Sequence, residues 1–100
     1  MVSRLTSRRA FTEQRLFEVQ VEIERARNEV ELIEFHLSDL EGHAHTAVER
    51  LGVAETPVAD VAWATARGRL AQMRSAAEIA RKQLEDLEST RDDLLSKLVG

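Results

Sequence analysis

The sequence predicts an all-α protein: two long helices folded back on each other as an antiparallel coiled-coil hairpin, assembling as a dimer into a four-helix bundle. Three observations carry the prediction. An apolar repeat of 3.5 residues persists through most of the chain, a single cluster of turn-forming residues divides it, and no useful stretch alternates with period two. One hundred residues with 43% apolar and 32% charged side chains suffice for a single helical hairpin spanning residues 1–100.

The first element follows from spacing. Val2, Leu5, Arg9, Thr12, Leu16, Val19, Ile23, Ala26, Val30, Ile33, Leu37, Leu40, Ala44, Ala47 and Leu51 lie alternately three and four residues apart, and only Arg9 and Thr12 are not apolar. A period of 3.5 held over this many heptads marks a left-handed coiled-coil seam, not the stripe of an ordinary surface helix. It predicts a helix over about residues 3–51. A break at Gly42 is the competing reading, because Gly42 suits a C-cap and Thr46 with Glu49 fits a capping box. The repeat nevertheless passes through Gly42 in phase. Gly42 and Gly68 fall on outward positions, where glycine costs about 1 kcal/mol of helix propensity without disturbing packing.

Gly52, Thr56 and Pro57 place a helix stop, an N-cap and a first-turn proline in succession, so the turn falls at about residues 52–57. Beyond it Ala59, Trp63, Ala66, Leu70, Met73, Ala77, Ala80, Leu84, Leu87, Arg91, Leu94 and Leu98 repeat the pattern, predicting a second helix over about residues 57–98. So short a link holds the helices antiparallel. The residue numbers in each facing layer then sum to about 110, and large side chains meet small ones: Ala47 with Trp63, Ile33 with Ala77, Val30 with Ala80, Ala26 with Leu84. Along the flanks this register sets Glu41 near Arg67, Glu34 near Arg74 and Arg27 near Arg81, with Glu88 offsetting the last pair diagonally. Residues 1–11, with Arg4, Arg8 and Arg9, extend past the last layer as a basic overhang.

Composition excludes several chemistries. Without cysteine there are no disulfides, thiolate zinc sites or thiol nucleophiles. A net charge of -4 gives no general attraction to nucleic acid or anionic lipid, so nucleic acid is not an expected partner. No apolar run is long enough for a membrane span, and Arg4, Arg8 and Arg9 precede no signal-peptide core, which points to a cytoplasmic protein. Twelve arginines against two lysines, with 13 alanines and no tyrosine, match the bias of a GC-rich bacterial coding sequence.

Phe11, Phe17, Val21, Leu32 and Phe35 all lie off the seam, at the outward b, c and f heptad positions, and Val61 and Ile79 do so on the second helix. An aligned apolar set that includes aromatics marks a self-association or partner surface. His36, Asp39 and His43 share one side of the first helix, and His45 has Glu41 and Glu49 one turn away, but such neighbours are ordinary in an acid-rich helix, and no metal or other cofactor is expected. There is no glycine-rich phosphate loop, HExxH or GxSxG motif, so no catalytic residue is assigned and no enzyme is expected. Arg67, Arg69, Arg74 and Arg81 lack interleaved aromatics to stack bases and are read as ion-pairing partners.

In size and plan the chain is similar to the small secreted hairpins whose helices meet at a Trp-x-Gly turn, but Trp63 is followed by Ala64 and Thr65, so that motif is missing. It also resembles in kind the coiled-coil chaperones of flagellar export and the coiled-coil fingers of transcript-cleavage factors, whose acidic tip is paralleled by Glu49, Glu55 and Asp60. No specific motif ties it to either. The expectation is a non-enzymatic protein–protein interaction module, an adaptor, chaperone-like or regulatory scaffold, whose partner is a second copy or another protein. The alternative is a transcription- or nucleic-acid-associated regulator using the basic overhang or the acidic turn.

Overall fold

The computed structural model describes the backbone of residues 2–51 and 57–100 and the side chains of 7–46, 49–50 and 60–100. Two helices account for nearly all of it: α1, Val2–Leu51, and α2, Pro57–Val99. Among the described residues there is no strand. Residues 52–56 of the expected turn, including Glu55, lie outside the described residues, as do the side chains of Arg4, Ala47, Leu51 and Ala59.

Local chemistry supports both helices. Pro57 opens α2, where its missing N–H costs nothing, and Asp60 in its first turn and Lys97 in its last oppose the helix dipole. Arg50 does the same at the end of α1. The helix does not stop at Gly42. The Thr46 hydroxyl donates to the Gly42 carbonyl at 3.0 Å, back-bonding within a continuous helix instead of capping a new one.

The chain forms two compact units. The first joins Met1–Glu29 to Ala80–Gly100, and the second comprises Val30–Ile79. The first unit sets the N-terminal part of α1 against the C-terminal part of α2, and the second sets the C-terminal part of α1 against the N-terminal part of α2, which is the antiparallel order. In the first unit Val19, Ile23 and Ala80 are buried, and Leu16, Ala26, Leu84, Leu87 and Leu94 are half-buried. In the second unit Ala77 is buried, and Ile33, Leu37, Leu40, Trp63, Leu70 and Met73 are half-buried. Every described seam position from Thr12 on α1 and from Trp63 on α2 is at least half-buried, whereas Arg9 is exposed. The 3.5-residue repeat therefore identifies the packed face position by position.

The flanking charges pair differently from the sequence expectation. Arg27 Nη2 meets Glu88 Oε2 at 3.8 Å in the first unit, and Arg74 Nη2 meets Glu41 Oε1 at 3.6 Å in the second. Arg74 thus takes Glu41, and Glu88 is the direct partner of Arg27. Side-chain direction explains the shift. Each Cα–Cβ bond leans toward its own helix N-terminus. In antiparallel helices, flanking residues at nearly equal height do not lean toward each other, while those each displaced to the N-terminal side of the other lean together. Arg67, left without Glu41, lies over the Trp63 ring with its guanidinium carbon 4.4 Å from the centroid. These two ion pairs are largely solvated and contribute at most about 1 kcal/mol each, so they select the register more than they hold it.

Ile23 is 3% exposed, so Ile23→Ala is expected to lower the unfolding free energy by about 2–4 kcal/mol in chemical denaturation. A double-mutant cycle on Glu41 and Arg74 should give a coupling of roughly 0.2–1 kcal/mol, while the cycle on Glu41 and Arg67 should give none.

Candidate functional site

The seam leaves the outer face of α1 free to carry other side chains, and large apolar ones stand there. In the first unit Phe11 is 74% exposed, Phe17 66% and Val21 38%. In the second unit Phe35 is 69% exposed, with Leu32 also exposed on α1 and Val61 and Ile79 on α2. All three phenylalanines of the chain therefore face solvent. Leu95 and Val99 add to the exposed apolar set in the first unit, and neither was singled out from the sequence. The signal for Leu95 was the Leu94-Leu95 doublet: a helix can turn only one of two adjacent residues into a one-sided seam.

Beside Phe35 the surface of α1 is indented. Phe35, Ser38, Asp39, Gly42, His43 and Thr46 line an open notch of about 430 Å³. Its floor is Gly42, where an added Cβ would meet no atom within 4 Å. Ser38, Gly42 and Thr46 recur at spacing four, so three small residues stack along one face next to an exposed aromatic ring. That spacing stands in the sequence, where a glycine at position 42 suits a helix stop equally well. Two further grooves follow from small residues near the seam: one beside Ala26, walled by Glu22, Glu29, Gln83 and Asp86 in the first unit, and one beside Ala76, with Leu40, Arg69 and Met73 in the second.

The other candidate residues are placed as follows. Arg8 and Arg9 are exposed, and Arg9 Nε donates to Glu13 Oε1 at 3.1 Å. Of the acidic set, Glu49 Oε1 lies 3.0 Å from His45 Nε2 and Asp60 is exposed. His36, Asp39 and His43 do not converge. His43 Nδ1 stands 3.9 Å from Asp39, while the His36 ring lies edge-on to Phe35 with centroids 5.9 Å apart. Among the described residues no group of three His, Asp or Glu is placed to hold a metal ion. Of the α2 arginines, Arg67 is on Trp63, Arg74 on Glu41, and Arg81 is also engaged. Lys82 donates to Asp86 at 2.8 Å, and this hydrogen bond raises its pKa above the usual lysine value. Among the described residues no helix is long and apolar enough to cross a membrane.

Arg67→Ala removes the guanidinium from the face of Trp63, the single tryptophan. Intrinsic fluorescence should shift, with stability changing by no more than about 1 kcal/mol.

Compared with known proteins, the chain matches no family model, and neither a curated protein nor a solved structure shows significant similarity to it.

Proposed function

We propose that the chain is a non-enzymatic protein-interaction module, an adaptor, chaperone-like or regulatory scaffold that works by helix packing. The observation that carries this reading is the set of exposed aromatic and aliphatic side chains on the outer face of α1, outside a seam that is already filled. An aligned set of exposed large apolar side chains that includes aromatics marks a surface suited to burial by a second one. Burial of each such side chain by a partner contributes about 1.5–3 kcal/mol. The partner is another helical surface, supplied by a second copy or by a different protein, and two copies would bring four helices together as a dimeric bundle. The arrangement offers no chemistry that makes a reaction the better reading: charged groups such as Arg9 with Glu13, Arg15 with Glu18 and Lys82 with Asp86 are solvated and paired at short range along one helix.

The nucleic-acid reading is weaker. Arg9 is paired with Glu13, and of the α2 arginines Arg67 lies on Trp63, Arg74 meets Glu41 and Arg81 is also engaged.

Phe35→Asp should retain the helical circular dichroism of the parent and weaken self-association or partner capture by about tenfold or more. That association should persist at 0.5 M salt, whereas phosphate-driven binding would be abolished. An unchanged Phe35→Asp variant would overturn the reading.

A further inference from the structure

Resting on the interaction-module reading, we propose that the partner at the Gly42 notch is a second copy of this chain, with Phe35 of each copy seated over Gly42 of the other. The notch and the side chain that fits it belong to the same surface of the same helix, only seven residues apart. A surface holding both a projection and its receptacle is self-complementary under a two-fold axis, the symmetry of most homodimers. Two α1 helices crossing antiparallel about an axis between Ser38 and Asp39 bring Phe35 to the partner's Gly42 and Gly42 to the partner's Phe35. The bare backbone of Gly42 allows the close approach. The notch of about 430 Å³ is ample for a benzyl group, since an apolar cavity of about 150 Å³ already holds benzene.

Charge favours this register over its neighbour. With Phe35 over Gly42, the Ser38 hydroxyl faces the partner's Asp39 carboxylate, to which it can donate, and Leu32 faces the partner's His45. One heptad away, stacking Phe35 on its own copy would set Glu31 against the partner's Asp39 twice, a like-charge contact. The residues beside the seam, among them Glu22, Arg27, Glu29, Glu34 and Glu41, are charged. They make a square bundle, in which those flanks are buried, a poorer fit than contact through the backs of the two α1 helices.

The test is the solution mass of the full chain by light scattering and sedimentation across concentration, for the parent, Gly42→Leu, Gly68→Leu and Phe35→Asp. Gly42 and Gly68 both face open space, so both leucine variants gain helix propensity without a clash inside the hairpin. The parent is expected to dimerise, Gly68→Leu to match it, and Gly42→Leu and Phe35→Asp each to weaken the dimer by about tenfold or more. A parent that is monomeric at all concentrations overturns the inference. So does a Gly42→Leu variant that dimerises as tightly as the parent. If Phe35→Asp alone weakens the dimer, the notch pairing falls while the outer face remains the interaction surface.

Discussion

Everything in this molecule is subordinate to one constraint: two helices that touch along a single strip must keep a nearly constant separation. Bulk on one side of the strip has to be met by economy on the other. That is why Ala77 and Ala80 are among the most deeply buried residues although they are also among the smallest. Alanine at those positions brings the backbones together and leaves room for larger side chains in the facing layers. Where alanine leaves the strip unfilled, as at Ala26 in the seam and Ala76 beside it, open grooves appear instead.

A narrow strip also leaves most of each helix in water, which explains the polar architecture around it. The ion pairs lie within a few residues of each other along one helix, as in Arg9 with Glu13 or Lys82 with Asp86, or span the edge of the seam, as in Arg27 with Glu88. Solvated pairs of this kind tune helicity and register but supply little net stability. Stability must come from apolar area, and a one-sided seam offers little. The exposed phenylalanines are the part of the apolar surface that the seam does not enclose.

The seam was legible in the sequence because burial on one side imposes a period, and periodicity survives in the order of residues. Val19 and Ile23 could be placed in the core, and Phe35 outside it, by counting alone. The ion pairs were less legible. Counting gives height along the helix but not the lean of the side chain, and Glu41 consequently meets Arg74 where equal height suggested Arg67. The notch at Gly42 was harder still, since a glycine in a helical pattern carries the same letter whether it ends the helix, loosens it or opens a hollow on its surface. Outer positions are unconstrained by the seam, so nothing in the repeat reports what they bind.

The constant sum that relates facing layers has a consequence for how such a chain can change over generations. A seven-residue block gained or lost in α1 moves every layer on its far side out of step unless α2 gains or loses a block at the mirrored position. Single insertions are thus disfavoured in either helix, and length should drift by matched pairs of heptads placed symmetrically about the turn. Distant relatives would share the pattern of bulk and charge across the strip while differing in length and in almost every outward residue, and a mirrored arrangement of paired indels would be their clearest signature.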